Sequence, residues 1–419
     1  MLTPDEQELL VRTGPGTAMG DLFRRYWLPV LLTEELPAPD CPPVRLRVLG
    51  EPLVAFRDTS GRIGVLGAYC AHRRMDLFYA RSEEGGLRCV YHGWKYDVAG
   101  ACLDIPGEPK DSRLKDDVPQ AWYPVREAGG VVWVYMGPPN ETPELPGLEW
   151  LRVPDTHRYL SRWEQDNNYL QGLETEVDAV HLGFLHSLIN PVLKPGERLD
   201  YRFSDRRPRM STKDTDYGVV VAARRDAEAG MYYWRLNQFL MPCYILNPIA
   251  PGNPMNCQMA VPVDDEHMMW LVATWDPEKP LTEQHVADMS NGDAGGRLVI
   301  DLNTRKPLAT AANGYLFDRT LQNTSFSGIP NTRVQDACAQ EVVGPITDRT
   351  KEYLGASDAG IIAMRRRLMN AARVLQQGIG PPEAARGAVY SIRAVAMVLP
   401  PDVGFDEDPA SNAAMVARA

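Results

Sequence analysis

Two short segments of this chain hold cysteine and histidine at ligand spacing. They are Cys70-Ala71-His72 and, sixteen residues later, Cys89-Val90-Tyr91-His92. Two such pairs can give one iron of a [2Fe-2S] cluster two thiolates and the other iron two imidazoles. Thiolate is charged and imidazole is neutral, so the mixed set raises the cluster's reduction potential. Gly93-Trp94-Lys95-Tyr96 follows, a glycine and aromatics able to fold tightly over a cluster. The competing readings are buried structural side chains or a zinc ribbon, but zinc sites more often read Cys-x-x-Cys paired with a second such motif.

A second group lies in Glu174-Thr175-Glu176-Val177-Asp178-Ala179-Val180-His181-Leu182-Gly183-Phe184-Leu185-His186. On a helix, Glu174, Asp178 and His181 share a face. His181 and His186 are five apart, about 140° around an ideal helix. Both reach one metal only if the helix unwinds between them, and Gly183 is a place for that. Two histidines and a carboxylate with open positions form the facial triad of non-haem Fe(II) sites that activate dioxygen. The competing reading is a polar helix with two ordinary histidines. Of seven histidines, four fall in these two groups, leaving His157, His267 and His285.

The segments Cys70-Ala71-His72-Arg73-Arg74 and Glu83 to Asp97 resemble the cluster region of Rieske non-haem iron oxygenases, and the phthalate dioxygenase branch fits best. The Asp178, His181, His186 spacing resembles the same family, as do Gln322-Asn323-Thr324, Gly328-Ile329, Gln335-Asp336 and Gly344 to Arg349. The resemblance runs from Gly14 to the helix after Asp358. It implies a terminal oxygenase with a [2Fe-2S] cluster held by Cys70, His72, Cys89 and His92, and a mononuclear Fe(II) held by His181, His186 and one carboxylate. For that carboxylate it points to Asp358, which opens a late helix. Asp336, Glu341 and Asp348 are the competitors, and Ser357-Asp358 also reads as an ordinary helix N-terminus.

The resemblance makes Asp178 a bridge rather than a ligand, joining His92 of one subunit to His181 of the next. A carboxylate there also fixes the imidazole tautomer. Glu174, one turn earlier, is a second outer-sphere candidate. Arg74 stands where many relatives have glycine, and Tyr169 where tryptophan is usual. The implied assembly is a homotrimer or a dimer of trimers with electron transfer between subunits.

Composition bounds the alternatives. The 419 residues are 44% hydrophobic and 24% charged, as in a soluble globular protein of two to three domains. A net charge of −11 argues against nucleic acid as a partner. No apolar run approaches 18 residues, so no membrane span is expected. Five cysteines beyond the cluster pairs are scattered without a disulfide pattern, and Met1 to Glu8 lacks a signal peptide's basic start, so a cytoplasmic setting is expected. Gly14 to Gly20 has the wrong spacing for a dinucleotide loop, and nothing else binds nicotinamide or flavin. Electrons therefore come from a separate reductase, which the resemblance implies is NAD(P)H-dependent with flavin and iron–sulfur, acting directly or through a ferredoxin. Arg365-Arg366-Arg367 is either a docking patch for an acidic donor or a solvated helix face.

The elements that must carry these groups follow from alternation and breakers. Residues 1–43 form a segment packing on the catalytic domain. Residues 44–140 read as a small all-β domain, with Val44 to Leu49 turning at Gly50-Glu51 into a second strand. Pro138-Pro139 marks a boundary, and residues 141–419 form an α+β domain in which a larger antiparallel sheet carries covering helices, in helix-grip fashion. Residues 277–330 read as irregular and 400–419 as a loose tail. The resemblance implies a reaction that uses dioxygen to dihydroxylate, hydroxylate or O-demethylate an aromatic compound, which in the phthalate branch is mostly an aromatic carboxylate. Arg207, Arg209 and Arg235 are candidates for a carboxylate clamp. The alternative is a Rieske electron-transfer protein without oxygenase activity, which would need little beyond the 44–140 block.

Overall fold

The computed structural model describes residues 1–189, 200–248, 253–292 and 297–417. Val44–Val48 and Glu51–Arg57 form an antiparallel hairpin with Val44 opposite Ala55 and Val48 opposite Glu51. Its turn is Leu49-Gly50, one residue earlier than expected, and both residues have positive φ, as a tight two-residue hairpin turn requires. Leu49 is fully buried, and its N–H donates to Pro262 O at 3.0 Å while Gly50 N–H donates to Val263 O at 2.8 Å. The hairpin tip is thus hooked onto the larger sheet.

Ile63–Gly67 and Trp122–Tyr123 complete that four-stranded sheet, and Arg81–Glu83, Gly86–Arg88, Lys95–Tyr96 and Cys102–Asp104 form another. A small core of Val54, Phe56, Leu66, Leu77, Leu87 and Tyr96 lies among these strands and encloses Cys70 and Cys89. This is the all-β domain. In a third sheet Trp27–Leu32 pairs with Val131–Tyr135, so the first 43 residues contribute a strand here as well as helices elsewhere.

The larger domain is an antiparallel sheet in the order Arg158–Gln165, Met268–Trp275, Met255–Pro262, Tyr244–Leu246, Tyr232–Leu240, Gly218–Asp226, Arg209–Asp214. Val395–Leu399 pairs with the first half of Tyr232–Leu240. Helix Tyr169–Val177 lies close on one face because Gly172 has no side chain; a Cβ there would come within 2.8 Å of Met268 and Trp270. A helix-interior glycine costs about 1 kcal/mol, here exchanged for close packing. Tyr169 is fully buried and its hydroxyl donates to Leu10 O at 2.7 Å, tying this helix to the N-terminal segment. The final residues are not a loose tail: Phe405 packs on Trp234, helix Pro409–Ala414 follows, and Val416 bridges Ile392. Residues 418 and 419 lie outside the described residues. No helix among the described residues is long and apolar enough to cross a membrane.

Candidate metal centres

The two cysteine loops share one backbone design. Cys70 N–H donates to Met75 O at 2.9 Å and Cys70 O accepts from Arg74 N–H at 2.9 Å. In the second loop Cys89 N–H donates to Trp94 O at 2.8 Å and Cys89 O accepts from Gly93 N–H at 3.0 Å. The residue four after each cysteine is left-handed, Arg74 at φ 61° and Gly93 at φ 76°. That explains why glycine suits the place of Arg74. Gly93 has a second reason, since a Cβ would meet Pro106 Cγ at 2.7 Å. Gln120, buried and unsuspected from the sequence, pins the first loop by accepting from Ala71 N–H at 2.9 Å and donating to Gly67 O and Tyr69 O.

Cys70 and Cys89 point inward while His72 and His92 are exposed, their ring centroids 4.5 Å apart. His72 stacks on Trp94 at 4.5 Å, and Tyr96 Oη lies 3.1 Å from Cys70 Sγ. Two buried thiols opposite two solvent-facing imidazoles suit a cluster with one iron inward and one outward.

On the larger domain, helix Tyr169–Val177 stops before Asp178, which takes extended φ/ψ, and a 3₁₀ turn follows at His181–Gly183. The expected shared helical face of Glu174, Asp178 and His181 therefore does not exist. The broken path lets both imidazoles converge, with ring centroids 4.9 Å apart. The carboxylate that meets them is Asp336, on helix Thr332–Glu341. Its Oδ1 lies 3.1 Å from His186 Nε2 and 3.7 Å from His181 Nε2, and one ligand atom from each of the three falls within 4.8 Å of the others. Asp336 Oδ1 is buried without a hydrogen-bond partner among the described residues. An orphaned carboxylate oxygen facing two imidazole nitrogens is the donor set a divalent iron requires. Burial raises the Asp336 carboxyl, but facing His186 and Arg333 outweigh it and leave it below the ordinary range. His186 Nδ1 lies 2.6 Å from Gln335 Oε1, and Gln335 Nε2 donates to Ile329 O, which turns Nε2 of the ring toward Asp336.

The comparisons with known proteins agree. Residues 26–124 match the family described as Rieske [2Fe-2S] domain, and residues 134–402 match the one described as LigXa C-terminal domain like. The chain is 39% identical to the 3-chlorobenzoate-3,4-dioxygenase oxygenase subunit of Comamonas testosteroni, covering 91% of each. It is 38% identical to the phthalate 4,5-dioxygenase oxygenase subunit of Pseudomonas putida, covering 92% of this chain and 90% of that one. The chain belongs to the Rieske non-haem iron oxygenases. The terminal oxygenase of carbazole 1,9a-dioxygenase from Nocardioides aromaticivorans IC177 shares the fold, with a TM-score of 0.59 over 88% of this chain and 97% of that one at 17% identity. The enzyme thus carries a Rieske cluster and a mononuclear iron.

Asp358 is not at the oxygenase's mononuclear site, and the sequence expectation is corrected. It precedes helix Ala359–Gln376, and its Oδ2 accepts from Gly355 N–H at 2.7 Å, the ordinary use of a carboxylate at a helix start. Nor does Glu341 or Asp348 reach the histidines: Glu341 accepts from Tyr315 Oη at 2.6 Å, and Asp348 is a surface group paired with Lys351. Glu174 is corrected too. It is held by Arg349 at 2.8 Å and Arg365 at 2.7 Å in a buried ion-pair group completed by Glu352. Glu176, two residues on and so about 200° around the helix, is the one that faces the site. Arg365 is spent on that ion-pair group, and Arg367 on buried Glu383, so the Arg365-Arg366-Arg367 run is no docking patch; only Arg366 is exposed, beside Asp214.

A cavity of about 310 Å³ adjoins the oxygenase's three convergent side chains, lined among others by Asp178, Phe203, Arg235, Asn237 and Gln258. Arg207 and Arg209 are exposed and outside it. Arg235 is buried within it; Nη1 donates to Pro248 O, and Nε has no partner among the described residues. Burial pulls Arg235 down to about 10, so it stays protonated at neutral pH.

Proposed function

We propose that this oxygenase acts on an aromatic carboxylate, held by Arg235 beside a mononuclear Fe(II) whose ligands are His181, His186 and Asp336. The observation that carries the reading is Arg235: a guanidinium in the cavity, near the three convergent side chains, bonded to a carbonyl and, among the described residues, to no carboxylate. Arg202, also lining the cavity, is by contrast already paired with Asp200 at 2.8 Å. A buried cation without a counter-ion favours an anionic ligand, and guanidinium binds carboxylate in a planar, two-point fashion. The sequence relatives named for 3-chlorobenzoate and phthalate take ligands of this class.

The cluster, held by Cys70, His72, Cys89 and His92, supplies single electrons, and the iron supplies dioxygen activation. The chain's own residues position the substrate, turn the imidazoles and exclude water. The product is a cis-dihydrodiol or a singly oxygenated or O-demethylated acid. Electrons come from a separate NAD(P)H-dependent reductase, directly or through a ferredoxin, in a cytoplasmic setting. The exposed imidazoles of His72 and His92, and the partly exposed Asp178 beside His181, support a head-to-tail homotrimer or dimer of trimers in which Asp178 links His181 to the next subunit's cluster.

Substrate-dependent oxygen uptake with a surrogate reductase and a panel of aromatic acids tests the reading. Arg235→Leu raises KM for the acid by about 10- to 100-fold, the worth of one charged hydrogen bond. Equal turnover of analogues without a carboxylate overturns it.

A further inference from the structure

Arg235 and Asn237 are two apart on one strand, and Asn256 and Gln258 are two apart on another. Strand alternation puts each pair on one face, and the cross-strand partners Phe239–Ile245 and Ile245–Gln258 show that both pairs use the same face. All four line the cavity. Four polar side chains on a helix-covered sheet face need partners, and Glu176 supplies them for Asn237 and Gln258. Its carboxylate accepts from Asn247 Nδ2 at 2.7 Å and Gln258 Nε2 at 2.6 Å and pairs with Arg333, while its backbone carbonyl accepts from Asn237 Nδ2 at 3.2 Å.

These bonds fix the amide orientations, because only the nitrogen end can face an acceptor. Gln258 Oε1 is taken by Arg333. Asn237 is 1% exposed, yet its Oδ1 has no partner among the described residues, and Asn247 Oδ1 is likewise buried and unpartnered. Both carbonyls belong to residues that line the cavity together with Arg235. We infer that the preferred substrate carries a hydrogen-bond donor on its ring, a hydroxyl or an amino group, received by Asn237 Oδ1. This rests on the aromatic-acid reading and narrows it. A chloro, methoxy or unsubstituted ring leaves the buried carbonyl unpaired, whereas O–H or N–H satisfies it.

The test is calorimetric titration of the holoenzyme, without reductase, with benzoate and with the 2-, 3- and 4-isomers of hydroxy-, amino- and methoxybenzoate. One hydroxy or amino isomer binds at least about tenfold more tightly than its methoxy counterpart. In Asn237→Leu, with the cluster's visible spectrum as the check on folding, that ratio falls to within about twofold. Equal wild-type affinities for hydroxy, methoxy and unsubstituted acids overturn the inference alone, since binding that still depends on Arg235 keeps the acid reading. A preference that survives Asn237→Leu overturns the assignment to Asn237. Failure of every acid to bind overturns both.

Discussion

Asp178 Oδ2 lies 3.4 Å from His181 Nδ1, while Asp336 Oδ1 lies 3.7 Å from Nε2 of the same ring. The imidazole sits between two carboxylates, one facing its fellow site residues and one partly open to solvent. Burial raises Asp178, but the facing His181 imidazole and the N–H of Val180 outweigh it and hold it below the ordinary carboxylate range. Asp178→Asn is expected to keep both metal centres and to slow re-oxidation of the reduced cluster in a single turnover by at least tenfold, the usual scale for outer-sphere partners. An unchanged rate removes Asp178 from the path between centres.

The carboxylate ligand is decided by a pair of variants. Asp336→Ala should lose the mononuclear iron and all turnover while the cluster keeps its visible and EPR spectra. Asp358→Ala should retain three irons per chain and cost about 1 kcal/mol of stability, as for loss of a helix-start carboxylate. Iron analysis of the two purified proteins separates the assignments, and the reverse pattern restores Asp358.

Tyr96 Oη, 3.1 Å from Cys70 Sγ, donates toward a sulfur that is a thiolate when the cluster is bound. Hydrogen bonds to ligand sulfur stabilise the reduced, more negative cluster. Tyr96→Phe should therefore lower the midpoint potential, by an amount on the order of tens of millivolts. A potentiometric titration showing no shift would mean the hydroxyl points elsewhere in the holoenzyme.

Glu174 neutralises two buried guanidiniums, Arg349 and Arg365. Removing it strands Arg349 and leaves Arg365 with Glu352 alone, at about 3–5 kcal/mol. Glu174→Leu should unfold at markedly lower denaturant while Arg366→Ala, at the exposed neighbour, changes stability by less than about 0.5 kcal/mol. Equal midpoints for Glu174→Leu and the parent would contradict a structural role.

The paired cluster loops differ at one residue in a way that substitution can read. Arg74→Gly relieves a left-handed non-glycine residue and should keep the cluster with unchanged or slightly higher thermal stability. Gly93→Ala combines a positive φ with the contact to Pro106 and should yield protein with depleted cluster. Full cluster content in Gly93→Ala would show that the loop adapts.

The cluster site was legible because all its donors sit in two loops of a few residues, where spacing alone sets geometry. The same holds for His181 and His186, and for the all-β and antiparallel character of the two domains, which period-2 alternation reveals. Asp336 was legible only as a competitor. It comes from a different helix, and no local spacing records that helix Thr332–Glu341 packs against the broken end of Tyr169–Val177.

Glu174 and Glu176 illustrate the limit. Both are acids on one short helix, and which faces the cavity depends on where that helix stops and how it lies on the sheet, a matter set by Gly172 against Met268 and Trp270. Asn237 and Gln258 read as ordinary strand residues, and Arg235 as one of three clamp candidates, until two strands distant in sequence are aligned. Composition and local motif thus specify the metals, because ligand chemistry is local. The third iron-side carboxylate and the polar wall of the cavity were decided by packing, because they join segments whose proximity exists only in the folded chain.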